Sequence, residues 1–228
     1  MLISETFVSR QGEGKLTGTE SFFIRTSGCN LRCWFCDTPY ASWQPSGERI
    51  SVSDLVQAVI EAGHSHVVLT GGEPLVAAEC ESLCDDLMGA GAHLTIETAG
   101  TVDKPIACDL LSLSPKLASS TPDANKHPQW SKRHEERRLP IPVMKKLIEK
   151  AADFQVKFVV ESQSQQREVD SVVNELGVTP EHVFLMPQGT SVAEMDAAVD
   201  WLNAWCLEAG YRYCDRMQIR WYGNRRGT

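Results

Sequence analysis

The chain has 228 residues, 42% of them apolar, and a formal charge of −8 from 22 basic and 30 acidic side chains. That length and apolar fraction suffice for one large core, while the acidic balance argues against a broad nucleic-acid-binding face, whose phosphate affinity comes from clustered Lys and Arg. No apolar run approaches membrane-spanning length, and the polar start MLISETFVSRQGEG does not read as a signal peptide, so no membrane partner is expected.

In chain order, TESFFIRT (19–26) reads as a strand and SVSDLVQAVIEAG (51–63) as a helix. In that helix Leu55, Val56, Val59 and Ile60 share a face, Ser51 or Ser53 suits the start, and Gly63 suits the end. A short buried strand (66–70), a helix near 76–89, a strand (93–98) and the apolar run CDLLSLS (108–114) follow. Beyond a gap come a helix near 142–152, the strand QVKFVV (155–160), a helix near 165–176, a strand (182–186), a helix near 191–209 and a closing strand MQIRWY (217–222). Alternating strands and helices imply right-handed crossovers and a parallel sheet. The expected fold is α/β: a partial (β/α) barrel of about six parallel strands, in a single domain over 1–228.

The segment LASSTPDANKHPQWSKRHEERRLPIP (117–142) breaks the rhythm, being rich in proline and charge with little to bury. It reads as a solvated insertion loop or as a mobile cover over the barrel mouth. In the second reading Lys132, Arg133, Arg137 and Arg138 could meet an anionic ligand.

The eight cysteines are sparse and include a C-x-x-C, which without an export signal suggests reduced thiols in a cytoplasmic protein. Cys29, Cys33 and Cys36, in CNLRCWFC, follow a predicted strand directly and so lie in a loop at its C-terminal end, the functional face of a barrel. Three thiolates can hold three irons of a [4Fe–4S] cluster and leave the fourth open. The alternatives are zinc with a distant fourth ligand, or three uncoordinated thiols. Cys80 and Cys84, at i and i+4 on one predicted helix face, read as buried core thiols, as do Cys108, Cys206 and Cys214. The six histidines show no ligand spacing, and Trp34 is either packing near the cysteines or a rim aromatic.

Just past the next predicted strand lies TGGEP (70–74), whose glycines let backbone approach a ligand closely. The coupling of C-x-x-x-C-x-x-C to GGEP resembles the radical S-adenosylmethionine enzymes. The resemblance implies that the cosubstrate's methionyl amino and carboxylate groups chelate the open iron, and that reductive cleavage of the sulfonium gives a 5′-deoxyadenosyl radical. Further stretches, QGEG (11–14), the Asp37-Thr38 pair after the last cysteine, IETAGT (96–101), SLSPK (112–116) and MPQG (186–189), are similar to one branch of that family. Its members contract 6-carboxy-5,6,7,8-tetrahydropterin to 7-carboxy-7-deazaguanine with loss of ammonia, on the way to 7-deazapurines such as queuosine.

On that resemblance Arg10, Gln11, Gly12, Glu13 and Glu97 line the pterin edge, Arg25 reaches its carboxylate, and Thr70 contacts the substrate. The resemblance gives Phe35 (by its backbone), Asp37, Gly72, Glu73, Ser114 and Lys116 to S-adenosylmethionine, and Thr38 to Mg²⁺. An apolar residue is more usual at the position of Arg10, which favours a backbone contact there over a side-chain one. Without the resemblance, Thr38 suits an ST-turn hydroxyl before Pro39, Arg25 a salt bridge at the barrel end, and Glu97 a cap. The resemblance also implies a flavodoxin-like electron donor and a homodimer. Two rival readings differ in kind. A glycyl-radical activating enzyme would share the cysteines and GGEP but not QGEG or Asp-Thr, and a non-catalytic zinc or electron-transfer module would not need a barrel of this size.

Overall fold

In a computed structural model, which describes residues 1–228, strand residues alternate between an apolar helix-facing layer and an inward face that holds most of the polar side chains together with a few apolar ones such as Val159, Phe184 and Met186. Nine strands form one open sheet. In chain order the strands are β1 (Leu2–Arg10), β2 (Glu20–Thr26), β3 (Glu48–Arg49), β4 (His66–Gly71), β5 (His93–Thr98), β6 (Leu110–Leu113), β7 (Asp153–Val160), β8 (Val183–Pro187) and β9 (Arg212–Tyr213). Their spatial order is β3-β1-β2-β4-β5-β6-β7-β8-β9, with every neighbouring pair from β2 and β4 onward to β9 parallel and β1 antiparallel to both β2 and β3 at one edge. The six full-length parallel strands (β2, β4, β5, β6, β7 and β8) match the expectation of a partial barrel that does not close.

The helices are α1 (Val52–Ala62), α2 (Cys80–Gly89), α3 (Pro128–Arg137), α4 (Ile141–Lys150), α5 (Gln166–Leu176), α6 (Val192–Asp196), α7 (Val199–Ala209) and α8 (Met217–Tyr222). Alternate strand residues, such as Ile24, Leu69, Ile96, Leu113 and Phe158, bury fully in a 34-residue cluster formed with the helices. At about 1.5–3 kcal/mol for each large side chain removed from water, this layer dominates the stability. Residues of the opposite parity line the inside of the barrel: Arg25, Thr70, Thr95, Glu97, Ser112, Gln155 and Lys157. Cys80, Cys84, Cys108 and Cys206 belong to the apolar layer, and Cys214 is buried in a small separate cluster. No helix is long and apolar enough to cross a membrane.

Helix α1 begins as its sequence suggests. The Ser51 hydroxyl accepts the Asp54 amide at 3.1 Å, and Gly63 closes the helix at φ 71°, where a side chain would be strained. Of its expected face only Leu55 and Val59 are fully buried, and Ile60 is 55% exposed, because the contact stripe is narrower than the apolar one. The expected helix over 191–209 is two helices, α6 and α7.

Three expectations need correction. The N-terminal residues, read only as a polar start, form β1, paired to β2 with Phe7 opposite Phe23 and their rings stacked at 4.8 Å. MQIRWY is the short helix α8, not a strand. The sheet edge is already occupied by β9, Ile219 alone buries, and Arg220 is drawn to Asp215 and Asp196 at 2.6 and 2.8 Å. The 117–142 segment, expected as a solvated insertion loop or a mobile cover, is largely exposed but carries a helix, and none of its residues lines the two cavities at the strand ends. It folds into α3 around His134, which is fully buried; Nδ1 accepts the Arg32 amide at 3.1 Å and Nε2 meets the Ser120 hydroxyl at 2.8 Å. Burial drives the His134 pKa down to about 4, so the ring is neutral at pH 7 and can accept from the loop that carries the cysteines.

Candidate active site

Two adjoining cavities open at the C-terminal ends of the parallel strands. One, of about 400 Å³, is lined by Arg10, Gln11, Gly12, Glu13, Arg25, Asp37, Thr38, Thr70, Glu97 and the C-terminal residues Arg216, Gln218, Arg225, Arg226 and Thr228. The other, of about 190 Å³, is lined by Cys29, Cys33, Cys36, Phe35, Gly72, Ser114, Lys116, Lys157, Met186 and Gln188. Glu13, Asp37, Thr38, Thr70, Gly71, Glu97 and Arg216 face both and so form the partition between them.

The cysteine loop is held from behind. Gly28, just before Cys29, accepts the Glu73 amide at 2.9 Å, and a Cβ on Gly72 would overlap the carbonyls of Gly28 and Ala41. Only glycine lets the GGEP turn lie this close. Gly72→Ala is expected to push the two loops apart at a cost of about 1–3 kcal/mol. Thermal unfolding, together with iron uptake on reconstitution, measures it.

The three thiols fit an iron–sulfur cluster by donor chemistry, since all are free, soft and gathered on one cavity wall without a fourth Cys or His. Burial raises Cys29, beside the Glu73 carboxylate, to about 12, and raises Cys33 to about 11 against the pull of Lys116. Both are therefore thiols at neutral pH, and metal ligation would release their protons. Lys116 folds back on Ser114, its Nζ donating to Oγ at 2.6 Å and to the carbonyl at 3.0 Å.

Glu73 is the correction within the expected set. It is 1% exposed and lines neither cavity; its carboxylate accepts from Thr98 Oγ1 (2.7 Å), the Ala99 amide (2.8 Å) and the Leu75 amide (3.1 Å). Burial raises its pKa although those bonds oppose it. Both its oxygens are engaged, tying the turn to the end of β5. Gln11 likewise spends its side chain on Ser21, at 2.9 Å. Arg25 makes the salt bridge its strand position allowed, to Glu5 at 2.7 Å, while still lining the larger cavity. Asp37 accepts from Arg216. Thr38 lines both cavities, and its hydroxyl makes one hydrogen-bonding contact, with Cys36 Sγ at 3.7 Å, and none to the backbone of a turn. Arg10 lies over the Trp221 ring at 4.5 Å.

The polar centre of the partition was not foreseen. Lys157, 4% exposed, donates to Glu13 Oε2 at 2.9 Å and Glu97 Oε1 at 3.1 Å, and Thr70 Oγ1 donates to Glu97 Oε2 at 2.8 Å. Arg216 donates to the Gly189 carbonyl (2.5 Å), to Glu13 (3.4 Å) and to Asp37, and Gln218 donates to Glu13 at 2.6 Å. Burial alone would raise the Glu13 pKa, but Lys157 and Arg216 overcome it and bring it down to about 2. The sequence signal for Lys157 was a lone cation at an inward position of the apolar run QVKFVV. Arg216 and Gln218 gave none, since they lie on and beside the helix misread as a strand.

Residues 23–160 match the model of the radical SAM superfamily. The chain is 64% identical to a 7-carboxy-7-deazaguanine synthase of Rhodopirellula baltica, over 100% of this chain and 89% of that one. It is 45% identical to the protein of that name from Halobacterium salinarum, over 95% of this chain and 88% of the other. A crystal structure of QueE from Escherichia coli shares the fold, with a TM-score of 0.64 at 22% identity over 95% and 93% of the two chains. Sequence similarity along its full length, on a fold of this kind and with three cysteines on one cavity wall, makes the chain a member of the 7-carboxy-7-deazaguanine synthase family within the radical SAM superfamily.

Proposed function

We propose that this chain converts 6-carboxy-5,6,7,8-tetrahydropterin to 7-carboxy-7-deazaguanine with loss of ammonia, the larger cavity taking the pterin. The observation that carries the reading is the Glu13–Lys157–Glu97 array between that cavity and the cysteine wall. A [4Fe–4S] cluster on Cys29, Cys33 and Cys36, with S-adenosylmethionine on its open iron, would supply the hydrogen-atom abstraction.

The chain's own residues bind and orient. Glu13, held ionised by Lys157 and Arg216, and Glu97 offer acceptors suited to the amino and ring N–H groups of an aminopyrimidinone edge, and Thr70 fixes Glu97. Arg25 offers charge-assisted bonds to the substrate carboxylate, and Arg10 lines the pterin's cavity by its backbone, its side chain being stacked on Trp221. Gly72, Phe35, Asp37, Ser114 and Lys116 bound the cosubstrate's cavity, and Glu73 serves it only by holding the turn. Thr38, at the boundary, would give Mg²⁺ a neutral oxygen, with substrate carboxylate and water completing the shell. An external one-electron donor and a homodimer belong to the same proposal, the dimer resting on the family alone. Anaerobic turnover with dithionite, S-adenosylmethionine and the pterin, read by product mass, tests the activity, and failure to form 7-carboxy-7-deazaguanine would sink it.

Thr38→Ala removes one oxygen ligand and no thiolate. Iron content and S-adenosylmethionine binding are expected to survive while turnover falls about a hundredfold, the scale of a small misplacement of reacting atoms. Excess Mg²⁺ should restore part of the rate. Normal turnover of the variant at low Mg²⁺ would remove the metal from the proposal.

A further inference from the structure

One carboxylate behind the wall of the larger cavity carries two guanidiniums. Glu5 stands opposite Arg25 in the β1–β2 ladder, just past the point where the register shifts, and its side chain is 11% exposed. Oε1 accepts from Arg25 Nε and from the Tyr40 hydroxyl, both at 2.7 Å, and Oε2 accepts from Arg226 Nε at 3.0 Å. Burial would raise the Glu5 pKa, but Tyr40, Arg25 and Arg226 outweigh it and hold the carboxyl below its ordinary value, so it is ionised at neutral pH. Burial, against the pull of Arg25, pushes Tyr40 up to about 12, so its hydroxyl remains a neutral donor.

Arg226 is placed by more than this bridge. Ser4 has no partner on β2, and its carbonyl accepts from Arg226 Nη2 at 2.6 Å, while the guanidinium lies 4.5 Å over the Tyr40 ring. Its remaining nitrogen, Nη1, and both Nη groups of Arg25 make no hydrogen bond within the chain, and both arginines line the cavity. Charge counting then matters. Arg25 and Glu5 alone would cancel, and an anion arriving there would meet a neutral ion pair. With Arg226 added, two guanidiniums face one carboxylate, and the surplus positive charge comes with free N–H donors. That is the arrangement that takes a carboxylate by charge-assisted bonds.

We infer that Arg226, held beside Arg25 by Glu5, determines that the larger cavity takes a pterin ring bearing a carboxylate in preference to the same ring without one. This rests on the proposed pterin function, in which Arg25 and Arg226 would share the substrate carboxylate. Glu5 lines neither cavity and acts through the arginines, as a positioning residue that sets both guanidiniums at one wall.

The test compares the Kd of 6-carboxypterin with that of pterin, read by quenching of ligand fluorescence on the anaerobic holoenzyme in Mg²⁺-free buffer. With no reductant present nothing turns over, and the two ligands differ only in the carboxylate. Arg226→Gln leaves the Arg25–Glu5 pair neutral and is expected to cut the preference for 6-carboxypterin about tenfold, the scale of one charge-assisted hydrogen bond, with the Kd of pterin unchanged. Arg226→Lys, which returns the charge, should recover part of the preference. E5Q/R226Q frees the charge of Arg25 and should also recover part of it, a coupling that independent residues would not show. An unchanged preference in Arg226→Gln would overturn the inference. So would an equal loss of both ligands, which would make Arg226 a structural anchor. A loss as large in Arg225→Gln, which removes an exposed cation of the same cavity, would overturn it too, by making the mouth generally cationic. Turnover of the pterin by an enzyme whose preference survives Arg226→Gln removes the inference alone. A preference that Arg226→Gln abolishes, in an enzyme that makes no 7-carboxy-7-deazaguanine, upholds it and removes only the reaction. Binding of neither ring by the native chain would remove both.

Discussion

Cys33→Ala, like Cys29→Ala and Cys36→Ala, is expected to abolish cluster content and all cleavage of S-adenosylmethionine, while Cys80→Ala and Cys84→Ala keep both. The two groups of cysteines sit in different chemistry. Cys29, Cys33 and Cys36 are partly accessible and line the smaller cavity. Losing one leaves two thiolates for a cluster that needs three protein ligands, and no His or fourth Cys lines that wall to replace it. Cys80 and Cys84 are fully buried on α2 among Leu83, Leu87 and Leu94 in the apolar layer. Shortening either removes one sulfur's worth of packing, about 1 kcal/mol by analogy with small core deletions. Iron analysis after anaerobic reconstitution and the charge-transfer absorbance read the difference. Loss of the cluster in Cys84→Ala would mean that the ligand set has been misassigned.

What could be read from the chain divides along the sheet. The apolar layer was legible because Val67, Leu69, Ile96, Val156 and Phe158 recur with strand periodicity between amphipathic helices, and that pattern fixes the αβ order. The cysteine loop and the GGEP turn were legible because their spacing carries the chemistry. The inward face was harder. Thr70 and Glu97 stood beside recognisable motifs, whereas Lys157 stood alone within a strand and acquires meaning only when β7 brings it between Glu13 and Glu97, which lie 144 and 60 residues away in sequence. The C-terminal part of the site was hidden for a different reason. Alternating apolar and polar residues over 217–222 fit a strand as well as one and a half helical turns, but the sheet edge a strand would need is taken by β9, and the helix leaves Arg216 and Gln218 in reach of Glu13. The 117–142 segment misled because its composition is that of a loop, while a single buried His134 organises it against the cysteine loop.

Lys157→Met is expected to cost both stability and turnover, with a pH dependence that separates it from simple loss of packing. Methionine keeps the length of the side chain but leaves Glu13 with one cation, Arg216, at 3.4 Å and shared with Asp37, beside the neutral Gln218 amide at 2.6 Å, and leaves Glu97 with only Thr70. Removing one partner of a buried ion pair costs about 3–5 kcal/mol; because Glu97 keeps 34% of its side chain in solvent, the lower end applies here, about 3 kcal/mol. The Glu13 carboxyl, held at about 2 in the intact array, should climb once its main cation is gone. A depressed carboxylate stabilises the fold fully above its unfolded value, about 4.5, and loses that contribution as pH falls toward 2. The gap in stability between native protein and variant should thus be widest at neutral pH and narrow between about pH 4.5 and 2. The Lys157 pKa is raised, so its share is complete below its ordinary value of 10.5 and contributes no change near neutrality. For catalysis, a protonated or displaced Glu13 no longer accepts the substrate's N–H groups. A loss of two such charged acceptor bonds, about 3 kcal/mol together, corresponds to about a hundredfold in kcat/KM. Lys157→Arg, which preserves the charge, should recover most of the stability and only part of the rate, since a planar fork cannot reproduce the geometry of an ammonium between two carboxylates. Denaturation midpoints of both variants at pH 7 and pH 3, set beside kcat/KM at pH 7, decide the matter. A methionine variant as stable and as active as the native chain would mean that the array is decoration on the cavity wall and that the pterin is held elsewhere.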